Sequence, residues 1–173
     1  MKRRLGIFVS VLVLGAILFI PKGYAADKIG YVNLGRIFDE YNKTKGQDKI
    51  LEKKQKDFES ERAVKVNEIK ALQDKLGLLD EKQKAAKKTE LEEKMKVFQE
   101  YEGKKIEGLR KERDDILKEI LKDIEKAVRQ YAEAQGYTLV FNDKVLVYQV
   151  KDGDLTDKVV EIVNKNYQPP ATK

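Results

Sequence analysis

Asp143, Asp152, Asp154 and Asp157 form a cluster of potential ligands in one short stretch of this 173-residue chain. Four carboxylates so close could hold a divalent cation. Their spacing, however, lacks the alternating pattern of a calcium loop, and capping of turns and helices explains them better. Other carboxylate pairs are abundant, but they lie on charged helical stretches that face water. The chain has no His, Cys or Trp. That excludes a His general base, a Cys nucleophile, a disulfide framework and the usual zinc ligand sets. There is no Gly-Lys-Ser/Thr phosphate loop and no Gly-x-Ser-x-Gly elbow. No enzyme activity and no cofactor are expected, so the work to be explained is binding.

The elements that position a binding surface begin after an export leader. Lys2, Arg3 and Arg4 precede an apolar run from Leu5 to Ile20 that Pro21 breaks. Small residues then occupy the −3 and −1 positions of a cut after Ala25. These are the three regions of a secretory signal peptide, residues 1–25. The run is short for a bilayer span, which needs ~20 residues. Removing the leader takes Lys2, Arg3, Arg4 and Lys22 with it and lowers the formal charge from +6 to +2. A periplasmic address follows, and the pI near 9.2 loses its force as a sign of nucleic acid. No nucleic-acid partner is expected.

Charged residues make up 38% of the chain, against ~25% on average. They concentrate in residues 39–135, which hold no proline and nearly equal numbers of both signs. Interspersed pairs such as Glu52/Lys56, Glu92/Lys96 and Glu107/Lys111 favour exposed helix. An apolar heptad seam runs through Leu51, Phe58, Ile69, Leu72, Leu76 and Leu79. A second runs through Leu91, Met95, Phe98, Ile106, Leu109, Ile116, Ile120, Ile124 and Tyr131. Both are interrupted in the middle, by Gln55, Arg62 and Lys65 on one side and Glu102, Lys105 and Arg113 on the other. A turn near 77–88 folds this stretch into an antiparallel hairpin, a rod of ~60–75 Å at 1.5 Å per residue. Gly77, Gly103 and Gly108 are expected to let it bend.

The flanks, 26–38 and 136–173, read as a small body. Residues 28–33 form a strand, and Gly136 stops the helix. Tyr137–Phe141 and Val145–Val150 read as two strands joined at Asn142–Lys144. Leu155–Tyr167 is a helix capped by Asp154 or Thr156, with Leu155, Val159, Ile162, Val163 and Tyr167 on one face. The fold class is α+β, mainly α. So small a core needs company, and the broad apolar surface from Ile116 to Val128 points to a neighbouring subunit.

The mature start ADKIGYVNLGRIFDEY, the long Lys/Glu-rich helical pair, the strands TLVFNDKVLVY and the final DLTDKVVEIVNKNY together resemble the Skp/OmpH family of periplasmic chaperones. The resemblance spans essentially the whole mature chain, and its two ends are the specific part. It implies a homotrimer whose β-strands join in a central body and whose hairpins surround a cavity. It also implies an ATP-independent holdase for unfolded outer-membrane β-barrel proteins.

On that reading Ile29, Tyr31, Val32, Ile116, Ile120, Leu139, Phe141, Val145 and Val147 are candidates for the oligomer body. Phe58, Val64, Val66, Met95, Phe98, Tyr101 and Ile106, along the interrupted seam, are candidates for surfaces left partly free to bind a client. Scattered weak contacts would hold a client by avidity and still release it. Lys82, Lys84, Lys87 and Lys88 make the tip basic, suited to acidic clients or anionic lipid. The alternative is a structural coiled-coil spacer of the envelope, anchored by an uncleaved leader.

Overall fold

A computed structural model describes residues 27–169. The expected signal peptide, 1–25, lies outside the described residues. Strand β1 (Ile29–Val32) leads into helix α1 (Leu34–Glu40). Helices α2 (Asn42–Leu76) and α3 (Glu81–Gln135) form an antiparallel hairpin. Strand β2 (Leu139–Asn142) and helix α4 (Thr156–Asn166) complete the body. Among the described residues no helix is long and apolar enough to cross a membrane.

The core sits where the hairpin meets the body. Val32, Ile37, Tyr41, Ile120, Ile124, Ala127, Leu155, Val159 and Val163 form one buried cluster. The root of α3 thus supplies part of the body's own core, and the rest of the rod projects from it. Asn33 ties three segments together. Its side chain caps α1 by accepting from the Arg36 N–H at 2.7 Å and donates to Asp143 at 2.6 Å. Its backbone N–H donates to the Thr156 hydroxyl at 2.9 Å.

β1 and β2 are parallel, with Ile29 opposite Leu139 and Val32 opposite Asn142. The connection between them is the entire hairpin. Gly30 permits the body to close over this sheet: a Cβ there would lie 2.7 Å from Leu155 Cδ1. Gly136 ends α3 at φ 72°, the left-handed conformation expected of it.

Three expectations need correction. Val145–Val150 is not a strand. Asp143–Val145 forms a 3-10 turn, with the Leu146 N–H donating to Asp143 O at 3.0 Å, and the chain leaves the sheet. It returns only at Asp154, bridged to Tyr31, where the Leu155 N–H donates to Tyr31 O at 2.9 Å. Alternating apolar residues signal readiness to pair, but the 3-10 turn carries this segment away from β2 before it can pair.

The tip is also tighter than 77–88. The helices break only at Gly77–Asp80, because Asp80 caps α3 by accepting from the Gln83 N–H at 2.9 Å. The lysine-rich run after it is good helix former and joins α3. At the other end, the arm is not one helix from Asp39. Tyr41 leaves helical geometry (φ −72°, ψ 123°) and divides α1 from α2. Gly103 and Gly108 lie within uninterrupted α3.

Candidate functional site

Three of the four clustered aspartates serve separate bonds within the body. Asp143 accepts from Asn33, Asp154 accepts from the Thr156 N–H at 2.9 Å, and Asp157 accepts from Arg36 at 2.6 Å. Among the described residues, no group of three or more acidic side chains gathers to hold a metal. The surfaces that remain are the arm and the outer side of the body.

Along the arm, charged residues that interrupt the apolar seam pair across it. Arg62 meets Glu102 at 2.5 Å, Lys54 meets Glu112 at 2.5 Å, and Lys105 meets Glu61 at 3.2 Å. Tyr101 is the node of this region. Its hydroxyl donates to Glu61, its ring lies 6.3 Å from that of Phe58, and the Lys65 ammonium sits 4.8 Å from the ring centre. The Tyr101 hydroxyl, followed by Lys105, holds the Glu61 carboxyl below its usual range. The same carboxylate raises both Tyr101 and Lys105.

The candidate residues divide. Val64, Val66, Met95 and Ile106 are exposed, and Phe98 and Tyr101 are half-buried. Phe58 is only 6% exposed and is corrected to an inter-arm core residue. Its bulk is needed where the two helices are otherwise joined by polar pairs. Met95 and Ile106, which the heptad count placed in the seam, are left exposed at its margin, Ile106 beside Leu51, Phe58 and Leu109. Tyr101, with Phe98, Val97, Ile69 and Lys65, lines a groove of about 430 Å³ toward the tip.

The body candidates divide in the same way. Ile29, Leu139, Phe141, Val145 and Val147 are exposed, and Val147 fully so. Ile29 and Leu139 are paired neighbours on the sheet, so this patch is continuous across both strands. Tyr31, Val32 and Ile120 are buried within the protomer, and Ile116 packs against the core. Val32, Ile116 and Ile120 thus belong to the body's own core, where α4 and the 154–155 return pack beside them, and Tyr31 lies against that return.

The basic tip residues lie on the first two turns of α3. Lys84 is paired to Glu81 at 3.0 Å and Lys87 to Glu90 at 2.5 Å. Lys82 and Lys88 have no ion pair among the described residues. Leu78, at the extreme end of the rod, is exposed.

A cluster at the root of the arm was not legible in the sequence. The Lys43 side chain, 13% exposed, bonds Asp123 at 2.9 Å and Glu119 at 3.2 Å. The Tyr41 hydroxyl donates to Asp123 at 3.1 Å. Burial, reinforced by Asp123, pushes the Tyr41 phenol up. Burial opposes the Lys43 charge, but its bonds to Asp123 and Glu119 outweigh it. Only the register of α2 against α3, fixed by the turn, could have revealed these partners.

A small parallel-stranded body carrying one long helical hairpin, with apolar residues uncovered on both, defines an arm-bearing binding protein. The chain belongs to the family described as outer membrane protein (OmpH-like), which matches residues 28–163. It is 29% identical over 153 residues to the chaperone protein Skp of Photorhabdus luminescens, covering 86% of this chain and 92% of that one. The chaperone protein Skp of Pectobacterium atrosepticum is 27% identical over 143 residues, covering 80% and 87%. A crystal structure of an OmpH-like outer membrane chaperone from Caulobacter crescentus shares the fold at 15% identity, with a TM-score of 0.74 over 87% of this chain and 92% of that one.

Proposed function

We propose that the mature chain, cut after Ala25, is a periplasmic chaperone. It holds unfolded outer-membrane β-barrel proteins, without ATP, between the helical arms of a homotrimer. The carrying observation is the arm itself. Val64, Val97 and Ile106 are exposed along a rod whose two helices cannot cover one another completely. Such residues give many weak apolar contacts rather than one deep pocket, and their sum retains a client that single contacts would release. The relatives named as chaperones support this reading.

In this reading α2 and α3 are the arm, and the flanking segments with the root of α3 are the association body. Ile29, Leu139, Phe141 and Val145–Val150 form the surface that neighbouring copies cover. The segment that fails to pair in one protomer completes its hydrogen bonds against another. Lys82 and Lys88, without ion pairs among the described residues, give the tip its affinity for anionic lipid.

Dilution of a urea-unfolded barrel protein into buffer tests the function. A stoichiometric amount of the mature protein should suppress light scattering, and unchanged scattering would refute the holding role. The mass in solution should be that of three chains; a monomer would remove the cavity. An intact N-terminus in the membrane fraction would favour the spacer, whereas a start at Ala26 removes it. Replacing the four tip lysines with Gln should weaken binding to anionic vesicles, and no loss would reduce them to solvation.

A further inference from the structure

The two edges of the arm differ. Both flank the Phe58–Leu109 seam. One edge is a groove of about 400 Å³ lined by Lys54, Asp57, Lys104, Lys105, Gly108 and Glu112. It is laced across by the Lys54–Glu112 and Glu61–Lys105 pairs. The other is a groove of about 750 Å³ with Leu51, Phe58, Ile106 and Leu109 as its apolar lining. Among the described residues only Arg62–Glu102 crosses there.

Charge in the larger groove is unevenly satisfied. Of its carboxylates, Glu102 is held by Arg62, Glu52 by Lys56 and Glu59 by the Gln55 amide. Asp48, at the lower end, is without such a partner among the described residues. Arg110 and Arg113 line the same groove and form no ion pair among the described residues. They lie one turn and two turns along α3 from Ile106, which is 54% exposed. The groove therefore offers an apolar floor with two uncommitted guanidiniums beside it. A guanidinium pairs a carboxylate with two parallel hydrogen bonds.

We propose that this edge of the arm, marked by Ile106, Arg110 and Arg113, is the client-facing one. Its occupant is an extended, unfolded segment that places apolar side chains over Leu51 and Leu109 and a carboxylate against the two arginines. The laced edge turns away from the client. This rests on the holding role proposed above and assigns it to one side of the rod.

The test places a photo-crosslinking residue at Ile106 or at Lys104, on opposite edges, in the full mature protein. Binding of an unfolded barrel protein is measured first with the unsubstituted protein. Crosslinks to the client should form from position 106 and not from 104. Equal yields, or crosslinks from 106 to another copy of this chain, would overturn the assignment while leaving the holding role intact. No client binding by the unsubstituted protein would sink both. In parallel, Arg110→Glu with Arg113→Glu should weaken client binding about tenfold at low salt, with the gap narrowing as salt rises. Unchanged affinity would equally overturn the proposal.

Discussion

Replacing Phe58 with alanine should loosen the middle of the arm without loosening the body. Full burial of a phenylalanine side chain contributes about 1.5–3 kcal/mol. In a closed core, truncation costs about 3–5 kcal/mol because a void remains. Phe58 is buried, yet it forms the floor of grooves on both edges that open to water. Water can fill the space left behind, so the void contribution falls away. The tilted contact with Tyr101 adds about 0.5–1 kcal/mol. The expected cost to arm closure is about 2–3 kcal/mol. At 1.4 kcal/mol per tenfold, amide exchange near residues 51–62 and 98–112 should accelerate roughly 30- to 150-fold. Exchange at Ile120–Ala127 and Val159–Val163, within the body core, should not change. Ile106→Ala, at an exposed position, should leave both regions unaltered. Unchanged exchange in the arm would refute the assignment of Phe58 as an inter-arm core residue. Equal acceleration in the body would show that arm and body open as one unit.

Gly103→Ala and Gly108→Ala meet nothing within 4 Å of the added carbon. Each should raise helix stability by about 1 kcal/mol in thermal melts, and a loss would reveal a contact in the assembled protein. Lys43→Met should destabilise the root of the arm by about 1–2 kcal/mol in urea. The side chain is well covered, but Glu119 and Asp123 keep partial access to solvent, which tempers the cost of leaving them unpaired. Gly30→Ala should destabilise the body by about 1–3 kcal/mol through overpacking against Leu155. Glu61 has its proton affinity depressed by Tyr101 and Lys105. Its stabilising contribution is therefore present above the unfolded value near pH 4.3 and is lost as pH falls through the lower folded value. Exchange in the mid-arm should rise below about pH 4, and Glu61→Gln should flatten that rise.

The hairpin was legible because it rests on local signals. Period, charge dispersion and the lack of proline specify helix without reference to any partner, and Gly136 stops it where a left-handed glycine was expected. The heptad count was weaker at single positions. It placed Met95 and Ile106 in the seam, since a two-helix rod needs fewer apolar positions than the repeat supplies. The tip was read too broadly because lysine-rich composition resembles a turn, whereas Asp80 had already capped the next helix. Val145–Val150 misled for a different reason. Its alternation is real, but pairing depends on the direction of the turn before it, and the 3-10 turn at Asp143–Val145 leads the chain off the sheet.

The sequence by itself determined that this chain builds a long, charged helical hairpin and that its flanks form a small mixed body. Those conclusions depend on residue types and spacings, which act over one or two turns of chain. Only the tertiary structure decided which apolar residues are spent inside. Phe58, Tyr31, Val32 and Ile120 are buried, while Ile29, Leu139, Ile106 and Val147 are exposed. It also decided which charges cancel across the arms and that Arg110 and Arg113 have no ion pair among the described residues. Those outcomes follow from the register of α2 against α3 and from the return of the chain at Asp154. Both are contacts between residues far apart in sequence, and no local pattern encodes them.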